Sequence, residues 1–95
     1  MTYLKELGFD DSVIELFTKN IPSQAIETLT TEEAKVSQNI NYFKNLGVKN
    51  YVDAFVKFYN MFLLDNDVFD GIFSKYDKED LVEKLEKNIA IMEYL

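Results

Sequence analysis

The densest group of potential metal ligands is Asp65, Asp67 and Asp70 in the run DNDVFDG, which ends on Gly71. A calcium-binding loop between two helices needs carboxylates or amides at its first, third and fifth positions, glycine at the sixth and a bidentate glutamate at the twelfth. Counted from Asp65, the fifth residue is Phe69, the sixth Asp70 and the twelfth Tyr76, so the register fails. The chemistry expected is local instead: Asp65 caps the helix that follows, and Asp67 faces the positive end of its dipole. Three acid pairs, Asp10–Asp11, Glu32–Glu33 and Glu79–Asp80, have the residue types of a glycosidase dyad. Each lies where a helix is expected to begin, a place that favours negative charge with no catalytic role. No catalytic residue, metal or cofactor is expected, and the protein is not expected to be an enzyme.

The missing residue types narrow the chemistry further. The chain has neither cysteine nor histidine, which removes disulfides, thiolate nucleophiles, the commonest general base and the commonest transition-metal ligand. All ten basic residues are lysine, so no planar guanidinium is present to read guanine or clamp a phosphate. Lysine in place of arginine, with eight asparagines, fits an AT-rich coding sequence such as that of a low-GC bacterium or its mobile elements. The net charge of −7 is uneven: residues 1–33 carry −5, residues 34–64 carry +3 and residues 65–95 carry −5. In that basic middle, Lys35, Lys44, Lys49 and Lys57 are the candidate nucleic-acid contacts, a strip that follows phosphates, with Lys44 and Lys49 flanking Gly47.

Apolar periodicity is helical almost throughout. A first helix is expected over residues 2–7, with Thr2 as cap and Gly8 as stop. A second begins near Asp10 or Asp11 and carries Val13, Ile14, Leu16 and Phe17 to about Lys19, and a third takes Pro22 into its first turn in PSQAIETL. Thr30 and Glu33 have capping-box spacing, opening a helix whose buried face is Val36, Ile40, Phe43 and Leu46 and which Gly47 closes. Residues 49–64, KNYVDAFVKFYNMFLL, hold five of the fourteen aromatic residues. Their polar members, Asn50, Asp53, Lys57 and Asn60, fall within an arc of roughly 80° at about 100° per residue. A helix with so narrow a polar stripe is expected at the centre of the fold, with Tyr51, Phe58 and Tyr59 as the candidate protein interface where the aromatic surface emerges. In the next short helix, Gly71 implies a tight contact or a single weak turn. Asp77 caps the last helix, which buries Leu81, Leu85, Ile89 and Met92, pairs Asp80 with Lys84 and Glu83 with Lys87, and runs to the C-terminus.

The stretch TYLKELGFDDSV recurs, altered, as NYFKNLGVKNYV. A shift of 39 residues places Tyr3 on Tyr42, Leu4 on Phe43, Leu7 on Leu46, Gly8 on Gly47, Phe9 on Val48, Val13 on Val52 and Leu16 on Phe55. A helix, a glycine stop and a second helix, repeated at this interval, describe two stacked helical repeats. The segment Val36 to Leu95, with Leu46 and Gly47 at a Leu-Gly step, Val52 and Phe55 on the helix beyond it, and Phe62 and Leu63 at the start of a short turn, resembles the repeats of the mitochondrial transcription termination factor family. That resemblance implies an α-helical repeat fold and binding of nucleic acid along a basic face. The chain departs from the family in having FYNMF where a proline usually closes the second helix, and in its acidity.

A single all-α domain over residues 1–95 is therefore expected, a compact stack of about six or seven short helices around residues 49–64. No apolar run approaches the roughly 20 residues of a membrane span, and MTYLKELGFDD lacks the apolar core of a secretory leader; the expected location is the cytoplasm. The leading functional expectation is a non-enzymatic module that binds a protein partner. The alternatives are a nucleic-acid-associated protein that uses the four lysines, and an acidic inhibitor of phage or plasmid origin that mimics nucleic acid.

Overall fold

Two glycines set the turns of the N-terminal half. The computed structural model describes residues 1–95 and contains no strand; its only positive-φ residues are Gly8, at φ 103°, and Gly47, at φ 101°. Gly8 separates helix α1 (Tyr3–Glu6) from α2 (Asp11–Asn20), and Gly47 separates α4 (Glu33–Asn45) from α5 (Tyr51–Phe58). In each turn the glycine amide donates to the carbonyl three residues earlier, Lys5 or Lys44. Helix α3 (Ser23–Thr31) joins the two halves. A 3-10 segment (Tyr59–Leu63), α6 (Asn66–Ser74), α7 (Lys78–Lys87) and a second 3-10 segment (Ile89–Tyr94) complete an all-α fold of seven α-helices. The correspondence at a 39-residue offset covers both glycine turns: Leu4 and Phe43 are fully buried, as are Phe9 and Val48. It ends where Leu16 points to solvent and Phe55 into the core.

The core is largely aromatic. Seven of the eight phenylalanines are buried and touch in a chain: Phe9 and Phe17 meet Phe55, Phe55 meets Phe62, and Phe62, Phe43, Phe69 and Phe73 close a cluster. Ring centroids lie 4.8 Å apart for Phe69–Phe73 and 5.6 Å for Phe43–Phe62. Many of the pairs are edge to face, the arrangement that the aromatic quadrupole favours. Leu4, Leu29, Val36, Ile40, Leu81, Leu85 and Met92 complete the core.

Several expected boundaries move, each for a local reason. Residues 49–64 do not form one helix, because Phe58 leaves helical geometry at φ −132° and ψ 39° and the chain tightens into a 3-10 turn. The break lets the Asn39 side-chain amide, wholly buried on α4, donate to the carbonyls of Phe62 and Leu64 at 3.0 and 2.8 Å. Asn66 in turn donates to Asn39 Oδ1 at 2.8 Å. Residues 51–58 are also less enclosed than expected, since only Ala54 and Phe55 are fully buried. Asn50 leaves the proposed polar stripe: its Nδ2 donates to the Leu85 carbonyl at 3.1 Å, and its buried Oδ1 has no partner. The last helix stops at Lys87 because Asn88 is extended and its Oδ1 caps the Ile89–Tyr94 turn at the Ala90 amide, which turns Met92 into the core.

The capping residues are corrected too. Thr30 is no N-cap; it lies inside α3, its hydroxyl donating to the Ile26 carbonyl at 2.7 Å, and α4 begins after Glu32 with no side-chain cap. Thr2 makes no side-chain cap, and Pro22 occupies the N-cap position of α3 rather than its first turn. Asp65 stands at the N-cap of α6 without capping it, because its carboxylate pairs with Lys35 at 3.0 Å. Asp77 does cap α7, accepting from the Asp80 amide at 3.1 Å, and the Asp80–Lys84 and Glu83–Lys87 pairs form as expected.

Two predictions arise from the backbone and the core. A Cβ added at Gly71 meets nothing within 4 Å and the position is mid-helix, so neither a tight contact nor a weak turn explains it. Gly71→Ala is therefore expected to raise unfolding free energy by about 0.5–1 kcal/mol in urea titrations. Gly47→Ala, forced to positive φ, is expected to lower it by about 1–2 kcal/mol. The second prediction concerns Tyr3, whose hydroxyl donates to the Leu29 carbonyl at 2.9 Å and whose pKa is pushed up to about 12 by burial and by the nearby Glu33. Burial favours the neutral phenol, so the unfolded chain ionises first, and this contribution is intact below pH 10 and lost as pH rises towards 12. The stability advantage over Tyr3→Phe, about 1 kcal/mol at neutral pH, is expected to shrink across that window.

Candidate interaction surface

Helices α2 and α5 leave a groove between them because of how their faces divide. On α2, Val13, Leu16, Phe17 and Asn20 share one side at helical spacing, and Phe17 turns inward against Phe55 and Tyr59, with centroids at 5.2 and 5.6 Å. Leu16, about 100° round the helix from Phe17, remains 63% exposed. On α5, Phe55 is locked among Phe9, Phe17 and Phe62, so Val52 and Val56 flank it and stay half-buried. The resulting groove encloses about 430 Å³ and is lined mainly by Val13, Leu16, Phe17, Ile21, Val52, Val56 and Tyr59. Pro22 and Tyr59 also line a second depression, whose other residues are Gln24, Ala25, Thr28, Asn60 and Leu63.

Its polar features are few and one-signed. Asp53 is the only charged residue in the groove lining, and it has no ion-pair partner. Beyond Asn20 the chain becomes extended at Ile21, and no backbone amide closes back onto the last carbonyls of α2. Asn20 uses its Nδ2 on the Leu16 carbonyl, at 2.6 Å. The other sizeable surface depressions differ in kind: the one along α7 is lined mostly by Lys78, Glu79, Glu83, Glu86 and Lys87, and one on α3 has no apolar lining.

The aromatic candidates take three different places. Tyr59 lines the groove. Tyr51 is held inside the fold: its hydroxyl donates to the Leu7 carbonyl at 3.0 Å, its ring meets Phe9 edge-on at 5.9 Å, and the Lys44 ammonium lies 5.0 Å from the ring centroid. The same hydroxyl occupies the space where a Cβ on residue 8 would lie, so Gly8 and Tyr51 are fitted to one another. Phe58, half-buried, lies outside both the phenylalanine chain and the groove.

The four candidate lysines do not share a strip. Lys35 and Lys44 are nine residues apart on α4, about half a turn out of phase and so on opposite faces. Lys35 bridges Asp65 and Glu32, at 3.0 and 3.4 Å. The Asp65 hydrogen bond, supported by Glu32, raises its pKa above the ordinary lysine value and keeps it charged but neutralised. Lys44 donates to the Leu7 carbonyl at 3.0 Å. Lys49 and Lys57 are exposed and form no ion pair, and the Lys49 backbone amide donates to Glu86 Oε2. Among the acids, Asp11 pairs with Lys5, Asp67 accepts from the Val68 amide, and nowhere do three carboxylates converge as a cation site.

Comparison with protein-family models, with curated proteins and with solved structures gives no match to this chain. No helix is long and apolar enough to cross a membrane.

The groove predicts a contrast between neighbours on α2. Leu16→Ser is expected to change unfolding free energy by less than about 0.5 kcal/mol, whereas Phe17→Ala is expected to cost about 3–5 kcal/mol. Chemical denaturation of the two variants measures the difference.

Proposed function

We propose that this protein is a non-enzymatic interaction module that binds a protein partner in the groove between α2 and α5. The single observation that carries the reading is the exposed Leu16 beside half-buried Val13, Val52, Val56 and Tyr59, apolar side chains that a neighbouring molecule would cover. Fold stability gives no reason for a large aliphatic residue at that position, since Phe17 already supplies the core contact of this part of α2. Enclosing such a surface releases water from apolar area, the common driving force for association.

The nucleic-acid reading has less support. Lys35 and Lys44 are committed to intramolecular partners, which leaves Lys49 and Lys57 as the free cations of the proposed strip on a chain of net charge −7. The acidic-mimic reading is weakened by the interspersed pairing of Glu15, Asp80 and Glu83 with lysines along their own helices.

Capture from a native lysate with three immobilised forms tests the proposal: the wild type, Leu16→Glu in the groove, and Val68→Glu at an exposed apolar position on α6. The expected outcome is a partner retained by the wild type and Val68→Glu at about 500 mM salt, where surface ion pairs are screened, and lost with Leu16→Glu. The same bound proteins on all three forms would overturn the reading.

A further inference from the structure

We infer that α6 is a self-association surface, on which a second copy of this chain packs its own α6 antiparallel across Gly71, pairing Asp67 of each copy with Lys75 of the other. The inference is independent of the groove, since no residue of α6 lines it. Helix α6 buries Phe69 and Phe73, and at about 100° per residue their mean direction lies opposite Gly71. Gly71 therefore stands on the outermost line of the helix, between Asp67 and Lys75, which lie four residues before and after it on one row. Lys75 keeps that row although it follows the last helical residue, because its backbone stays helical at φ −72° and ψ −17°. All three residues are exposed, and Val68 beside them is 49% exposed.

The spacing of the charges supplies the first argument. On other exposed helix rows an acid and a lysine four residues apart pair with each other, as Glu15–Lys19, Asp80–Lys84 and Glu83–Lys87 do. On α6 the place four residues from both charges is a glycine. Asp67 and Lys75, about 12 Å apart along the helix at 1.5 Å per residue, have no ion-pair partner. A two-fold axis at Gly71 that reverses the row sets each Asp67 against the other copy's Lys75, giving two unlike pairs and no like pair on that row. This is the self-complementarity that an isologous contact needs. The glycine supplies the second argument. An exposed mid-helix glycine costs stability, and a Cβ there meets nothing within 4 Å, so the fold of one copy does not require it. Where such rows of two helices align, the axes cross at about 50°, and the residue at the crossing sets how closely the backbones approach. Val68 then lies beside Val68 of the second copy, and its exposed apolar surface is covered. The net charge of −7 opposes this contact only weakly at physiological ionic strength, because repulsion beyond about 8 Å is screened while pairs in contact are screened far less.

Sedimentation velocity over protein concentrations from about 10 μM to 1 mM, at about 150 mM salt, tests the inference. The contact is small, so a weak, reversible dimer is expected. Asp67→Lys and Lys75→Asp each bring like charges together and should raise its dissociation constant at least about tenfold. The double variant Asp67→Lys/Lys75→Asp, which keeps the net charge of the wild type, should return to within about threefold of it. An equimolar mixture of the two single variants should form a heterodimer. Glu27→Lys, an equal change of charge to Asp67→Lys at an exposed and unpaired site on α3, should not weaken association. Gly71→Gln should raise the urea midpoint of unfolding and yet weaken association, two effects that a purely structural role would not set in opposition. All these positions are exposed, and circular dichroism checks that each variant folds. A monomer at every concentration, single variants or Gly71→Gln that associate as the wild type does, or a double variant that stays as weak as the single ones would each overturn the inference. None of these results bears on the groove, which Leu16→Glu tests separately.

Discussion

A continuous line of phenylalanine rings holds this fold together. Phe55 is its junction: on one side it meets Phe9 and Phe17, which fix α2 and the turn before it, and on the other it meets Phe62, through which Phe43, Phe69 and Phe73 fix α4 and α6. Each contact adds about 0.5–1.5 kcal/mol beyond the area buried. The rings are wide and rigid, so they also act as spacers that decide how closely helices approach. Short helices of eight to ten residues such as α2, α5 and α7 are marginal alone, and contacts of this kind are what make them persist.

Phe55 and Phe62 meet, with ring centroids 5.4 Å apart, where the chain changes pitch between them. Seven residues of α-helix would bring them nearly onto one face, stacked along a single axis; the break at Phe58 tightens the second part. Changing pitch leaves carbonyls without intrahelical donors, and the buried amide of Asn39 supplies donors to two of them, at Phe62 and Leu64. A comparable arrangement fastens α1, where the Leu7 carbonyl accepts from both the Lys44 ammonium and the Tyr51 hydroxyl. Polar side chains that a composition count would assign to solvent thus hold the aromatic core in register.

This explains which parts of the structure were legible in the sequence. Helix α4 was in part, because Val36, Ile40 and Phe43 share one face and are buried, whereas Leu46, expected beside them, follows the helix and is half-buried; the starts of α2 and α7 were, because acids mark them. Asn39 lies on that same buried face, three residues after Val36 and four before Phe43, a position that already indicated burial. The break after Phe58 was not legible, since it answers to an amide on another helix. Thr30 and Glu33 have the spacing of a capping box, yet the box needs an extended threonine, and α3 continues through it with the hydroxyl bonded back to Ile26. The groove was half legible. Val13, Ile14, Leu16 and Phe17 span about 160° of α2, wider than one core contact covers, so an edge residue had to emerge. That it would be Leu16, beside Val52 and Val56, depended on the fold.

The same rings account for the groove between α2 and α5. Phe17 and Phe55 are in contact and each is further held by another ring, so α2 and α5 cannot rotate to bury Leu16 and Val56 against each other without breaking the aromatic line. The apolar edges left over are consequently held at a fixed spacing. Rigidity at Phe55 is thus the physical link between how this chain folds and the surface it offers.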